Sequence, residues 1–303
     1  MPIDYLLYEQ RPADSQYRDR LITVRDDALP ASSFHKEQSR TYMALQPLRF
    51  QDLSLGFPVS TIRDLKGSWK SAIGEILAFI NGVRTQEQLV NDFGVNKRFW
   101  GDFVTKDKCA IFGLEEGDLG DGSYGAGFAR FPTPDGSYFD QMKNVMHQIR
   151  TQPNVRTHWV DPWIPFYVIQ GEHNQRKVVV APCHGWMHWR VLQGKLHLQM
   201  HQRSADMPVG VVFNTLQYAA LLLVVAHVLR MEPGGFYHSF SDAHIYEPQI
   251  PWVDELVSRE PRQLPTMTLS NDAPLDLYQF RSDHFTLTDY HPHPVVKDMP
   301  VAI

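Results

Sequence analysis

Apolar residues recur at helical spacing in "GSWKSAIGEILAFINGV" (67–83), where Trp69, Ile73, Ile76, Leu77 and Ile80 fall on one face and predict an amphipathic helix. "FDQMKNVMHQIRTQ" (139–152) predicts a second helix, stopped by Pro153. Between them, residues 104 to 136 are rich in Gly and Asp and read as loop. Further on, the period changes. Met187, Trp189 and Val191 alternate with His188 and Arg190; after Gln193-Gly194, Leu196, Leu198 and Met200 alternate with His197, Gln199 and His201. Two period-2 runs around a short glycine-containing connection predict a β-hairpin. Asn214 then opens an apolar helix to about Leu229, ended by "EPGG". Residues 1 to about 35 are polar and mixed, an extension or excursion rather than a separate domain. No internal repeat interrupts the chain. Strands and helices mix without the βαβ rhythm of a doubly wound fold, and a hairpin needs antiparallel pairing. The expected class is α/β in the mixed, α+β sense, as one domain over residues 1–303.

Composition narrows the function classes. A chain of 303 residues with 43% hydrophobic and 21% charged residues has an ordinary globular balance. The net charge of −5 offers no global field for nucleic acid or an anionic membrane, so an anionic small ligand would need a local cluster of arginines. Cys109 and Cys183 are too few for a disulfide framework, and no CxxC pair suggests zinc; a reducing cytoplasm fits best. The first twenty residues lack the basic start and apolar core of a signal peptide. The most apolar run, Ala219 to Ala226, is shorter than the ~20 residues that span a bilayer and reads as a buried core helix.

Two residues carry the question of chemistry. Cys183 stands at the mouth of the hairpin, after Pro182 and before His184, with Arg203 at the far end of the returning strand. A free cysteine usually packs as a small hydrophobe. An arginine folded back beside it would instead lower its pKa and supply thiolate. Strict alternation puts His184 and His188 on the face opposite the thiol, which weakens a metal site there. Glu75 falls away from the Trp69–Ile80 stripe, so the pattern alone makes it a solvated carboxylate. "GDLGDGSYGAGFAR" (117–130) is glycine-rich but matches no phosphate-loop or dinucleotide fingerprint.

The order of these pieces resembles the thymidylate synthase family. "PCH" (182–184), "QRSAD" (202–206), "GVVFN" (210–214), "DAHIY" (242–246), "SREPRQLP" (258–265), "YHPHP" (290–294) and "PVAI" (300–303) recur with the family's spacing. "GEILAFINGV", "FWGDF" and "GDLGDGSYGAGFARFPTPDG" continue it upstream. The likeness runs from about Gly56 to Ile303 and is poor over the first 55 residues. It implies a homodimer on a mixed twisted sheet that forms the interface, and the substrates dUMP and 5,10-methylenetetrahydrofolate, with no metal.

The resemblance also implies roles. Cys183 would be the nucleophile, with His184 beside it. Arg203 and Ser204 would bind the phosphate, with Gln202 nearby. Asn214 would read the O4/N3 edge of the base. His244 and Tyr246 would hold the ribose. Glu75 would organise water and protonate O4, and Tyr124 would take part in removing the C5 proton. Trp100, Asp206, Val209, Gly210, Phe213, Val301, Ala302 and Ile303 would meet the folate. Several positions depart from the pattern. The paired arginines that cross the dimer appear as Arg156-Thr157, and Arg40 in "KEQSRTYM" is the candidate for a shortened N-terminal arginine loop. Gln217 replaces a small residue near Asn214, Ser241 replaces a glycine, and "EPQ" follows Tyr246. Asn214 in place of aspartate favours uracil over cytosine, and Trp100 with the apolar tail favours methylation over hydroxymethylation. A binding protein without catalysis is disfavoured by the joint presence of Cys183, Glu75, Tyr124 and Asn214.

Overall fold

The two alternating runs form the expected hairpin, and its turn shows why the sequence folds there. Gln193 and Gly194 both take positive φ (52° and 78°), the backbone of the tight turn that matches strand twist. Leu192 then faces Lys195. In the computed structural model, which describes residues 2–32 and 37–302, the helices are α1 (Gln16–Asp27), α2 (Trp69–Ile80), α3 (Gln86–Phe93), α4 (Lys106–Ala110), α5 (Tyr124–Ala129), α6 (Gln141–Thr151), α7 (Pro165–Val168), α8 (Gly210–Leu229) and α9 (Ile250–Ser258). The strands are β1 (Leu29–Ser32), β2 (Gln38–Met43), β3 (Leu48–Phe50), β4 (Phe131–Pro132), β5 (Tyr138–Phe139), β6 (Trp159–Val160), β7 (His184–Leu192), β8 (Lys195–Asp206), β9 (Glu232–Tyr246), β10 (Thr266–Leu269) and β11 (Phe285–Thr288). The α/β class is as expected.

Among the described residues, seven strands make one mixed sheet in the order β1–β2–β9–β8–β7–β6, with β3 also paired to β9. The hairpin strands β7 and β8 are antiparallel. β8 and β9 are parallel, and α8 makes the crossover between them. One face of the hairpin, with Met187, Trp189, Leu196, Leu198 and Met200, is fully buried in the core. The other, with His188, Gln199 and His201, is half-buried or exposed.

Several expectations change. The 104–136 segment is not all loop: α4 and α5 lie within it, and α5 carries Tyr124. α8 begins at Gly210, four residues before Asn214, so Asn214 is inside the helix rather than opening it. The chain does leave α8 as expected before "EPGG", through Arg230 in the left-handed conformation, but that sequence begins β9. At 20 residues α8 is long and apolar enough to cross a membrane; its burial in the core, not its length, assigns it. Residues 2–32 are built into the fold: Leu21 and Val24 of α1 are fully buried, and β1 pairs with β2.

Strict alternation also fails at one point. A β-bulge lies between His184 and Trp186, at Gly185 with φ +106°. A Cβ there would come within 2.7 Å of the Tyr218 hydroxyl and 2.8 Å of the Phe128 ring, so only glycine fits. The extra residue turns His184 into the buried face, contrary to the pattern, while His188 stays outward.

Candidate active site

Cys183 is half-buried just before β7. Its carbonyl accepts from the backbone N–H of Arg203 (2.8 Å) and of Ser204 (3.3 Å), which ties the residue to the end of β8. Arg203 turns back over the loop: Nε donates to the Pro182 carbonyl (2.8 Å) and Nη2 to that of Ala181 (3.2 Å). That places Nη2 3.8 Å from the Cys183 sulfur. The guanidinium also lies over the Trp163 ring, 5.0 Å from its centre. Arg176 clamps the carbonyls of Val178 and Val179 and is near enough to Arg203 for the two charges to repel. The thiol thus sits in a locally positive setting within a chain of net negative charge.

Behind the thiol stands an aromatic wall. The Tyr124 hydroxyl accepts the Cys183 N–H (2.7 Å), and its ring stacks on His184 (4.5 Å) and Phe79 (4.7 Å). Burial, with the neighbouring Cys183, holds the Tyr124 phenol well above its ordinary range. His184 Nδ1 pairs with the Tyr218 hydroxyl (2.8 Å). Burial, reinforced by Arg203, pushes His184 down to about 3, so the ring is neutral at physiological pH.

Glu75 is buried, not solvated as its wheel position suggested. The reason is that α2 is covered on every side: all residues from Ala72 to Ile80 are buried. Its carboxylate accepts from Trp100 Nε1 (2.6 Å) and from Gln217 Nε2. Burial raises its pKa from 4.5 to about 7, while the two N–H donors pull the other way. From Glu75 the polar contacts continue. Gln217 Oε1 accepts from Asn214 Nδ2 (3.0 Å), and Asn214 Oδ1 accepts from Gln202 Nε2 (3.0 Å). Gln202 Oε1 meets His238 Nε2 (2.8 Å), and His238 Nδ1 meets the Thr215 hydroxyl (2.9 Å). Sequence reasoning found Glu75, Asn214, Gln202 and Trp100 but gave no role to Gln217, His238 or Thr215. The only signal was Gln217, as a departure from the family pattern.

A third group lies where β8 passes into α8. Burial raises the pKa of Asp206, which accepts from the Val209 N–H (3.1 Å) and from Gln249 Nε2 (3.1 Å). The same Gln249 nitrogen reaches the Pro300 carbonyl (3.1 Å), so one buried amide ties the tail to Asp206. Val209, Gly210 and Phe213 are half-exposed along the first turn of α8, and a Cβ on Gly210 would lie 3.4 Å from Asn214 Oδ1. Phe99 packs on Phe213 (5.5 Å). The half-exposed rings and the bare backbone suit a flat heteroaromatic group, and Asp206 offers it a polar partner. On β9, Asp206 pairs with His244, which contacts Asp242 (3.1 Å) and packs edge-on against Tyr246 (5.2 Å). Tyr246 is pushed up to about 12, chiefly by burial.

Other expected residues lie apart. Arg40 is engaged by Glu247 (2.8 Å) and the Arg25 carbonyl (3.0 Å), not by any residue around Cys183. Arg156 is exposed; its carbonyl meets His188 Nε2 (3.2 Å). Val301 is exposed and Ala302 half-buried, and Ile303 lies outside the described residues. A half-exposed thiol under a guanidinium, beside a buried carboxyl and a fixed carboxamide, can add to an electron-poor ring and move a proton on it. A family model described as Thymidylate synthase matches residues 15–303 of this chain.

Proposed function

The chain belongs to the thymidylate synthase family, whose chemistry is folate-dependent methylation or hydroxymethylation of a pyrimidine, and on that premise we propose that it methylates C5 of dUMP to give dTMP. One observation carries most of this reading: the Cys183 sulfur lies 3.8 Å from the Arg203 guanidinium, at the edge of a site whose wall holds Asn214 and Glu75. Cys183 thiolate would add to C6 of the uracil ring. The C5–C6 π pair would then move toward O4, leaving C5 nucleophilic, and Glu75, neutral below about pH 7, would supply a proton to O4. Arg203 Nη1 makes no hydrogen bond among the described residues and is free for a phosphate oxygen, with Ser204 beside it. His244 and Tyr246 would hold the ribose. The buried phenol of Tyr124, 2.7 Å from the Cys183 nitrogen, would position a water that takes up the C5 proton.

Methylenetetrahydrofolate would be held by Trp100, Val209, Gly210, Phe213 and Asp206, with the tail over it, and when bound supplies the carbon and the hydride. Trp100 is buried against Phe79 and Phe103, which helps exclude water and favours methylation. We place the work in a homodimer formed through the open face of the sheet. The exposed Arg156, whose neighbour Val155 is anchored through its carbonyl by Arg190 (2.8 Å), would then reach the phosphate of the second copy.

The test is stoichiometry. With 5-tritiated dUMP and methylenetetrahydrofolate, one dihydrofolate should form per tritium released, with dTMP as product. Tritium release without dihydrofolate, and a product one oxygen heavier than dTMP, would establish the hydroxymethylase instead.

A further inference from the structure

The buried polar contacts behind Asn214 have a single direction. Gln217 Nε2 has two acceptors, the Glu75 carboxylate and the Ala72 carbonyl (3.1 Å). The Ala72 carbonyl can only accept, whatever the protonation state of Glu75, so Nε2 must face it and the Gln217 oxygen must face Asn214 and take its Nδ2 hydrogen. On the other side, Gln202 Nε2 is held by the Ser204 carbonyl (2.9 Å), so a second N–H must face Asn214 Oδ1. Gln217 and His238 are fully buried and Gln202 nearly so, out of reach of solvent that could compensate a mispaired atom.

This bears on which base can bind. Uracil offers an acceptor, O4, beside a ring N–H; cytosine offers an amino donor beside an unprotonated ring nitrogen. A carboxamide free to rotate serves either base, because turning it end for end exchanges its N–H and its oxygen. Asn214 is not free. Reversed, its NH₂ would meet the Gln202 NH₂ and its oxygen would meet the Gln217 oxygen. Each asparagine group still has one unused valence in the observed sense: a second N–H on Nδ2 and a second lone pair on Oδ1.

We propose that Gln217 is a specificity-determining positioning residue: anchored on Ala72 and Glu75, it locks the Asn214 carboxamide in the sense that accepts uracil and refuses cytosine. This rests on the reading that the site takes a pyrimidine nucleotide at Asn214. Discrimination then belongs to the pair, not to Asn214 alone. Gln217 also joins the proton donor to the base reader, so that both edges of O4 recognition share one buried side chain.

Binding of dUMP and of dCMP, each alone, to the wild-type protein, Gln217→Met and Gln217→Ser should be measured by calorimetry, without folate. The wild type should prefer dUMP. Either variant should narrow that preference by about tenfold or more, chiefly by gaining dCMP affinity, since the reversed amide no longer meets a fixed oxygen. A folded variant that keeps the wild-type ratio overturns the proposal and leaves Gln217 as packing. In the ¹⁵N spectrum of the nucleotide-free wild-type protein, which requires no variant, the Asn214 NH₂ should exchange slowly with solvent; exchange as fast as that of exposed asparagines also overturns it. A wild type that binds both nucleotides equally overturns it too, whereas one that binds neither, with Asn214 still protected, fails the dUMP reading and spares the lock.

Discussion

The thiol edge and the buried wall of this site are built on opposite principles. At the edge, Cys183 is half-exposed, and its surroundings come from short stretches of chain, residues 181–183 and 203–204, tied by backbone bonds. In the wall, Glu75, Gln217, Asn214, Gln202, His238 and Thr215 come from α2, α8, β8 and β9, and each is buried and paired with the next. A nucleophile needs an approach path and a nearby positive charge, which one well-placed arginine supplies. A base reader needs donors and acceptors of fixed sense, which only a closed set of partners supplies.

The sharpest way to separate the two regions is Cys183→Ala. It should lower tritium release from dUMP by on the order of 10⁴-fold or more, while dUMP binding, set by the wall and the phosphate ligands, stays near wild type. Trapping with 5-fluoro-dUMP and folate should give a denaturation-resistant complex only with Cys183 present. Equal trapping in the alanine variant would move the nucleophile elsewhere.

Arg203→Lys probes the edge alone. A lysine cannot hold two carbonyls and lie flat on Trp163 at once. Alkylation of Cys183 by iodoacetamide at pH 7 should slow by roughly tenfold, because the positive charge is no longer held beside the sulfur. An unchanged rate would mean that the guanidinium does not activate the thiol.

The smallest effect belongs to the wall. Trp100→Phe removes one N–H donor from the Glu75 carboxylate, and burial, now less opposed, should raise the Glu75 pKa further, by up to about one unit. A step that needs neutral Glu75 weakens as pH rises through the folded pKa of about 7. The falling limb of kcat/KM should therefore move to higher pH in the variant. Stability carries the same sign: the contribution of a neutral Glu75 is complete below about 4.5 and lost as pH rises through about 7. A limb that stays put would place the titration on another group.

These regions also differ in how far the sequence discloses them. Cys183 and Arg203 close a hairpin whose alternation is plain, so their approach could be expected from pattern alone. The hairpin and the helices over 67–83 and 139–152 were legible for the same reason: a half-buried element leaves its period in the sequence. Glu75 was misplaced because a helix buried all round has no solvent face for a wheel to find. Gln217 and His238 looked like ordinary polar residues, since their meaning lies in partners more than twenty, and for Gln217–Glu75 142, positions away. The N-terminal helix was missed because it buries little: Leu21 and Val24 are its buried residues.

The bulge at Gly185 gives the two ends of one strand different tolerance to insertion. A pair of residues added at the Gln193-Gly194 turn would lengthen both strands and leave every side chain on its face. One residue added beside Gly185 would exceed what the bulge absorbs, turn the His184 ring outward and take it from Tyr218 and Tyr124. The distal end of the hairpin is therefore open to added length, and the proximal end is closed to it.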